Sequence, residues 1–557
     1  MRTRTELQSL HGELFAKLQS MLPLYRDVRD FINPYIGNLD GQEPSDVTRH
    51  DEKFLRTTPL KYTQIMAAGI QSGITSPTKK WLKLYTDDPR LMQDTQVKIW
   101  LSDVENIIFS LLSKGHFYES QLFANLELGC FGTSALMIEE DLNTGVRFKA
   151  FSAGEYAIDV DSKGIVNTFA RKFKMSARQI CDKFPGSATE KLKREAKSGS
   201  RMYYTVYHLI MPNNDYDPDK WDNKHFAFAE YYWSDITGDE LLSVSGYHEF
   251  PVAVSRWQQM AGSIYGVGPG IWAIGDAREL QLTQRNLDSI VALAANPPLQ
   301  APADILANGG VNVLPSAVNY YNPMTGNSPI TPIFDSRTID KELILLHRQS
   351  LEEALKEHFH VNVFQLLSDM EKGTRTAREI IELSSEKMSQ MGPLVDRQET
   401  ETLPRIIERV LSIGFRLGLF PEAPDSIKGQ GLNVSFDSIL SRAQRQSDIT
   451  PIMDTVESAI AMSNNAQIGE MLDNIDFDAV IRKIADLNGI DPRLIKPQDV
   501  VNSIRQERAA YQQQLLQQQQ QQMEAEKAKT LSQAKTDEPS ALTQLLGGAV
   551  QNSLQTY

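Results

Sequence analysis

The most constraining feature of the sequence is a pair of helical patterns that enclose a proline-rich segment. Apolar residues recur at helical spacing over 271–295 and again over 338–359. Residues 296–334 carry prolines, glycines and asparagines among short apolar runs, and proline lacks the amide hydrogen that a helix interior needs. This order predicts two amphipathic helices joined by a compact module of turns and strands. Such a pair fits two roles: a hairpin packed on its own chain, or the wall of an assembly.

The chain before this pair changes from helical to strand patterns. Apolar residues at helical spacing, followed by short alternating runs between Val146 and Arg256, predict helices and then an antiparallel sheet with one or two inserted helices. The fold class predicted from this order is α+β. The predicted helices cover 6–32, 58–74, 96–129 and 176–184, and the clearest short strands cover 81–85 and 134–139.

The chain after the pair is mainly helical. A helical pattern runs over 376–417 with an interruption at Gly392-Pro393, and loop and strand follow until Asp437. Nine of the eleven positions from Gln512 to Gln522 are glutamine, within a stretch free of glycine and proline. This composition is compatible with disorder, but it also allows one long exposed helix over 503–529 when copies pack side by side.

Composition excludes several classes of protein. The 557 residues include 57 Lys and Arg against 71 Asp and Glu, a net charge of −14, which argues against a protein that wraps basic side chains around phosphates. Cys130 and Cys181 form neither a disulfide framework nor a zinc motif, as expected in a reducing compartment. The N-terminus lacks a signal peptide and no apolar run is long enough to cross a membrane, so no membrane association is predicted.

The motifs that resemble catalytic sites are weak. Gly266-Val-Gly268-Pro-Gly270 precedes a helix, but its spacing does not match a dinucleotide fingerprint, which favours a structural turn over a nucleotide loop. His358 and His360 flank Phe359 without a metal-ligand spacing. No set of catalytic residues can be nominated from spacing. The sequence therefore predicts no enzyme, no cofactor and no metal.

Six sequence blocks, spread in order over about 380 residues, resemble the blocks shared by the head-to-tail connecting (portal) proteins of short-tailed, T7-like bacteriophages. The chain departs from that pattern at Cys130 and at Ser438-Ile439, where Ser-Pro is commoner. The blocks are Ala67–Pro77 with Trp81–Leu84, Gly129–Leu136 before Glu139-Glu140, Tyr265–Gly270 with Ala273 and Asp276, Ala295–Leu299, Arg375–Glu379, and Phe436–Gln444.

The resemblance implies a portal-protein fold assembled as a ring, generally of twelve subunits, at one capsid vertex of the virion. Double-stranded DNA would be packaged through the ring by a separate terminase motor and later ejected through it. The ring would nucleate head assembly and dock the tail adaptor. The implied partners are further copies of the chain, DNA, the terminase large subunit, the tail adaptor, and the major capsid and scaffolding proteins, with assembly in the bacterial host cytoplasm.

The resemblance also implies a division of the chain. The wing would comprise residues 1–270 and a return helix at 374–417. The implied segments between and after these are stem helix 1 at 271–295, the clip at 296–337, stem helix 2 at 338–359, the tunnel loop at 360–373, the crown at 418–495, a barrel helix at 496–530 and a C-terminal tail at 531–557.

Two groups of residues become candidates for function through the resemblance. Those for the DNA channel and tunnel loop are His360, Asn362, Gln365, Lys372, Arg375 and Arg378. For Lys372, Arg375 and Arg378 an alternative of equal weight is that they form salt bridges within the helix, with Glu371, Glu379 and Glu382. Those for docking of the motor and the adaptor in the clip are Asn319, Tyr320, Tyr321, Asn322 and Asn327.

The charges of the two stem helices and the composition of the C-terminal helix bear on the assembly of the chain. The stem segments 276–288 and 335–357 carry six basic and nine acidic residues, so a mildly acidic channel wall that repels phosphate is expected. In a ring, copies of the C-terminal helix would share Leu515, Leu516 and Met523. The alternative is a scaffold or adaptor without a channel that oligomerises through the glutamine-rich helix.

Overall fold

The structure is a computed structural model. The chain forms two compact units, Met1–Ile475 and Asp476–Tyr557. The residues described are 2–41, 51–88, 90–187, 189–199, 202–220, 222, 224–295, 299–300, 331–332, 341–365, 391–436, 453–461, 475–487, 494–496 and 498–533.

The chain begins with two helices, α1 (Arg4–Gln19) and α2 (Leu22–Phe31). The single helix predicted over 6–32 is therefore wrong. Pro23 lies in the first turn of α2, where its missing amide hydrogen needs no intrahelical acceptor, so a new helix starts there. The buried face of α1 consists of Leu7, His11, Leu14 and Leu18.

Helix α3 (Thr58–Ile74) has the predicted bounds, and strand β1 (Leu82–Thr86) follows it within one residue of its predicted position. The pattern over 96–129, in contrast, forms two helices, α4 (Thr95–Lys114) and α5 (Phe117–Phe131). The chain turns between them at His116, which has a left-handed φ of 60°. A non-glycine residue rarely adopts this conformation, so the apolar pattern gave no sign of the break.

The predicted antiparallel sheet is confirmed as two sheets. The first contains β2 (Thr133–Asp141), β3 (Gly145–Phe151) and β9 (Val252–Arg256), in the order β3-β2-β9. The second contains β4 to β8 in sequence order. Its strands and the helices inserted between β5 and β6 are β4 (Tyr156–Val160), β5 (Val166–Ser176), α6 (Ala177–Lys183), α7 (Glu190–Lys197), β6 (Tyr203–Pro212), β7 (Phe228–Ser234) and β8 (Leu241–Tyr247).

The next elements include the helix pair that the sequence predicts. A short hairpin, β10 (Gln258–Gln259) and β11 (Gly266–Val267), leads into α8 (Pro269–Trp272) and α9 (Ile274–Ala295). Strands β12 (Leu299–Gln300) and β13 (Thr331–Pro332) pair with each other, and α10 (Lys341–His358) follows. The two predicted helices are thus confirmed, whereas most of the module between them lies outside the described residues.

The chain returns to the sheet region after α10. Helices α11 (Gly392–Arg397) and α12 (Leu403–Arg416) flank a π-helical turn at Gln398–Thr402, and β14 (Leu432–Phe436) pairs with β1. The described part of the predicted helix over 376–417 is therefore helical after its interruption. Beyond it lie helical residues 453–461, α13 (Phe477–Leu487) and α14 (Gln498–Gln533), which confirms the long glutamine-rich helix.

The core of the larger unit connects distant parts of the sequence. Trp81 stacks on Phe117 and on Phe436, so the pairing of β1 with β14 is fixed by aromatic packing as well as by its ladder. Glu127 of α5 is fully buried, and its carboxylate accepts hydrogen bonds from the hydroxyl of Ser152 (2.7 Å) and the amide of Ala153 (2.8 Å). Among the described helices, none is long and apolar enough to cross a membrane.

Candidate functional site

The glycine run before α9 is a packing motif. Gly268 and Gly270 lie against the end of α5, where added Cβ atoms would be 2.9 Å from the carbonyl oxygen of Leu128 and 2.7 Å from the Cα atom of Cys130, respectively. The amide of Gly266 donates a hydrogen bond to the hydroxyl of Thr133 (2.8 Å). Because these glycines face protein backbone, the structural turn is the interpretation that the geometry supports. The run fixes where the helix pair starts.

Gln281 anchors the base of α9. Its side-chain oxygen accepts hydrogen bonds from the amides of Leu55 (2.8 Å) and Arg56 (2.7 Å), and its amide group donates to the carbonyl of Arg56 (3.0 Å). Gln281 is almost fully buried, so these bonds satisfy both ends of a buried amide. Sequence patterns did not single out this residue, although its position next to Leu280 on the buried face was a usable signal.

Histidine–carboxylate contacts join the two helices to each other. His347 of α10 lies 3.0 Å from Glu279 of α9, and His358 lies 3.0 Å from Asp276. Both contacts join a ring nitrogen to a carboxylate oxygen. They hold the pair together at two levels about three helical turns apart on α10.

Two further ion pairs connect the helix pair to the N-terminal region. Arg56 contacts Glu352 of α10 at 2.9 Å, and Arg278 of α9 contacts Asp27 at 2.9 Å. Several of the acidic side chains counted for the channel wall are therefore paired within one chain. The structure lowers the number of stem charges available to form the expected acidic wall.

The outer halves of both helices expose apolar side chains. Of the side chains that the structure describes, none after Thr283 on α9 and none before Leu351 on α10 is buried, and each is half-buried or exposed. Val291 is 65% exposed, Leu346 is 64% exposed and Leu345 is exposed as well. Leu282, beside Thr283 in the inner half of α9, is also exposed. Among the described side chains, the inner part of each helix therefore has apolar residues buried in the chain, and the outer part has apolar residues that are exposed.

Three of the six channel candidates are described, and they lie at the start of the predicted tunnel loop. Residues 361–365 are helical, and Val361, Val363 and Phe364 are buried. The predicted loop over 360–373 is therefore wrong for its first residues. Residues 361–365 form a helical segment because their apolar side chains pack into the core. Asn362 is partly buried and Gln365 is exposed.

His360 packs against Trp257 just after the end of α10. It has a left-handed φ of 52°, and its ring stacks on Trp257 with 6.2 Å between centroids. Desolvation by burial, and then the nearby His358, hold the pKa of His360 below its ordinary value. The neutral ring packed on an indole is the form that this environment favours.

The remaining candidates lie outside the described residues. These are Lys372, Arg375 and Arg378 of the channel group and Asn319, Tyr320, Tyr321, Asn322 and Asn327 of the clip group. In the part of the chain that the structure describes, no group of three or more His, Cys, Asp or Glu side chains is placed to hold a metal ion.

Comparison with known proteins gives consistent matches along the chain. A family model described as bacteriophage head to tail connecting protein matches residues 4–495. A protein named portal protein, from Salmonella phage epsilon15, is 31% identical over 529 residues, which cover 94% of each chain. A protein named probable portal protein, from Bordetella phage BPP-1, is 29% identical over 543 residues, which cover 97% of each chain.

Proposed function

The chain belongs to the bacteriophage head to tail connecting protein family, and on that premise we propose that it is a portal protein. The match spans nearly the whole length of the Salmonella phage relative that carries this name. In this role the chain forms a channel at one vertex of a phage capsid, and double-stranded DNA enters and later leaves the head through it. The function is structural, and a separate motor supplies the work of packaging.

The observation that carries a ring is the helix pair α9 and α10. Its base is fixed in the chain by Gln281 and by the Arg56–Glu352 ion pair, while its outer half exposes Val291 and Leu346. Exposed apolar residues on a rigidly anchored element are typical of a surface that another chain covers. A closed ring needs two different, complementary faces on each subunit. In such a ring, every copy has both of its faces covered by neighbouring copies. Twelve copies is the number that the resemblance implies.

The proposed division of the chain follows the same reasoning. Helices α9 and α10 are the stem, the segment between them is the clip that docks the terminase motor and the tail adaptor, and α14 lines a barrel. Residues 418–436 pack into the wing through Ile427 and Phe436, so we place the start of the crown after Phe436. His360 then anchors the stem, and any tunnel loop begins after Gln365.

The proposed partners are double-stranded DNA, the terminase large subunit, the tail adaptor, and the major capsid and scaffolding proteins. The proposed location is the portal vertex of the virion, after assembly in the bacterial cytoplasm. Lys372, Arg375 and Arg378 remain candidates for contacts with DNA. Asn319, Tyr320, Tyr321, Asn322 and Asn327 remain candidates for contacts with the motor and the adaptor.

The test is a phage whose gene for this chain carries an early stop codon. We expect heads without DNase-resistant DNA, and restoration of packaged DNA when the full chain is supplied from a plasmid. Heads that fill with DNA in the absence of the chain would contradict the proposed function. The number of copies of the chain per particle separates the two functions. For a non-channel scaffold this number would follow the number of capsid proteins, whereas a portal is present at one vertex per particle.

A further inference from the structure

A basic groove lies between the N-terminal helices and the five-stranded sheet. Its volume is about 1310 Å³, and helices α1 and α2, the loop at 35–41, strand β5 and helix α6 contribute to its walls. The chain as a whole has a net charge of −14, so the charge of this groove is opposite in sign to that of the whole chain. The basic residues that line the groove are Arg26, Lys149, Arg171, Lys172, Lys174 and Lys183.

The three acidic residues of the groove are already paired. Asp40 contacts Arg29 at 2.6 Å, Glu155 contacts Arg171 at 3.4 Å, and Asp182 contacts Arg178 at 3.9 Å. Six basic groups against these three leave the lining with a formal charge of +3. Within the described residues, Lys149, Lys172 and Lys183 form no salt bridge. Their charges are available to an anionic occupant.

Aromatic rings hold the centre of the groove in place. The guanidinium carbon of Arg171 lies 4.4 Å from the ring centroid of Phe151 and 4.0 Å from that of Phe173. Its Nε atom is buried and has no hydrogen-bond partner among the described residues. Desolvation, followed by the charge of Arg171, lowers the pKa of Lys149, as expected where cations are close together. The groove is therefore preorganised for negative charge.

The size and lining favour a polypeptide segment as the occupant. Pockets for small ligands have volumes of roughly 300–1,000 Å³, and this groove is larger and open. Its walls combine lysines with apolar side chains such as Leu18 and Phe173.

A complementary element exists in the same chain, in the loop between β6 and β7. This acidic loop, residues 213–227, carries Asp215, Asp217, Asp219 and Asp222 against Lys220 and Lys224, a formal charge of −2. Within the loop, Asp217 contacts Lys220 at 2.8 Å and Asp222 contacts His225 at 2.5 Å. Tyr216 on the loop is 54% exposed. The side-chain amide of Asn213 donates hydrogen bonds to the carbonyls of Lys224 and Phe226, both at 2.8 Å, and so fixes the base of the loop.

The groove and the acidic loop lie at opposite ends of the sheet strands. Residues of the groove include Met175 and Thr205, near the end where Ser176 pairs with Tyr203. The acidic loop begins after Pro212, which pairs with Phe228 at the other end. Groove residue Arg171 pairs with His208, and the four residues from there to Pro212 span about 13 Å at the rise of a strand, whereas Thr205 lies about 23 Å from Pro212. Two complementary faces at opposite ends are what a head-to-tail contact requires.

We propose that the basic groove of each copy receives the acidic loop of the next copy, and that this contact closes the ring. The proposal rests on the proposed function, because it assigns a contact within that ring. Lys149, Lys172 and Lys183 would meet Asp215, Asp219 and Asp222 of the neighbouring copy. The aromatic side chain of Tyr216 would enter the apolar part of the groove.

The test is charge reversal on each face, followed by a swap. The groove variant K149E/K172E/K183E and the loop variant D215K/D219K/D222K each place like charges opposite one another. We expect each to raise the protein concentration needed for half-maximal ring formation at least tenfold, measured by native mass spectrometry. The variant with both sets of changes restores opposite charges, and it should assemble within about threefold of the wild type.

The control is K163E/K191E/K197E, which reverses three exposed lysines outside the groove and should assemble like the wild type. Wild-type assembly is measured first, so a chain that forms no ring is a failure of the proposed function itself. If the wild type forms rings and the groove and loop variants assemble equally well, the proposed contact is wrong and the proposed function stands. The contact is also wrong if the groove variant assembles normally but loses affinity for DNA or for another phage protein.

A cross-link gives a second test that does not depend on charge. Lys172→Cys and Asp219→Cys are combined with Cys181→Ser, while the buried Cys130 is retained. Oxidation of assembled rings should give a ladder of covalent multimers on a non-reducing gel, and neither single cysteine variant should do so. Assembled rings without this ladder would overturn the proposed contact.

Discussion

Gly270 and Cys130 are in direct backbone contact: a Cβ atom on Gly270 would lie 2.7 Å from the Cα atom of Cys130 and closer still to its carbonyl oxygen. This contact joins the start of the helix pair to the end of α5. Because both partners are backbone, neither side can move away without shifting a helix. The position of α8, which leads into α9, relative to α5 therefore depends on the absence of one side chain.

The first prediction concerns this contact. Gly270→Ala should lower the free energy of unfolding by about 1–3 kcal/mol or more, because the added methyl group overlaps backbone atoms. The matched control is Gly275→Ala, since a Cβ atom added there would have no other atom within 4 Å and alanine favours a helix. Chemical denaturation measures both. Equal stabilities of the two variants would show that the contact at Gly270 is not tight.

The second prediction concerns the buried carboxylate of Glu127. Burial raises the pKa of Glu127 from 4.5 to about 7, against the opposing effect of its hydrogen bonds from Ser152 and Ala153. The folded chain therefore retains a proton that the unfolded chain releases between these values. The contribution of this group to stability is fully present below pH 4.5 and is lost as the pH rises through 7.

Denaturation of the wild type and of Glu127→Gln between pH 5 and 8 measures this effect. Relative to the variant, the wild type should lose on the order of 3 kcal/mol over the range, because glutamine carries no titrating proton. Glu119→Gln is the control, since Glu119 is exposed and the substitution removes no buried carboxyl. A stability difference that does not change with pH would contradict the assignment of a raised pKa to Glu127.

Local patterns predicted many elements of the fold. The bounds of α3 follow from Pro59 at its start and from Ser76-Pro77 after its end, and both signals act within a few residues. Alternation of apolar residues located the sheets. The break at His116 was missed because a left-handed non-glycine residue leaves no trace in hydrophobic periodicity.

The site was less predictable because it depends on contacts between distant residues. The basic groove combines residues of several helices and strands, and Lys149 and Lys172, which belong to different sheets, line it together only in the folded chain. The tunnel loop was placed by resemblance alone. Attention to Val361, Val363 and Phe364 would have indicated a packed segment instead of a loop at its beginning.

The third prediction concerns the exposed stem surface. Leu282→Glu combined with Leu346→Glu should raise the concentration needed for ring formation at least tenfold, because burial of a leucine contributes about 1.5–3 kcal/mol and a carboxylate opposes it. Thermal unfolding of the unassembled chain should stay unchanged, since both side chains are exposed there. Leu142→Glu is the control, because Leu142 is 91% exposed on the turn between β2 and β3. Normal assembly of the double variant would place the ring contacts elsewhere.

The fourth prediction separates a portal from a scaffold that oligomerises through α14. A chain ending at Val500 lacks nearly all of this helix but keeps the wing and the stem. We expect it to form rings, because the contacts proposed for closure lie in the larger unit. Analytical ultracentrifugation at micromolar concentration measures the outcome. A truncated chain that remains monomeric would support assembly through the glutamine-rich helix instead.

The most direct measurement is the mass and shape of the purified full chain, by native mass spectrometry with negative-stain imaging. We predict rings with a central hole and a mass near twelve times 62.7 kDa. A closed ring of another copy number would keep the channel and change only the count that the resemblance implies. Solid or open aggregates without a central hole, or a chain that remains monomeric under all assembly conditions, would contradict the claim that this protein forms a channel.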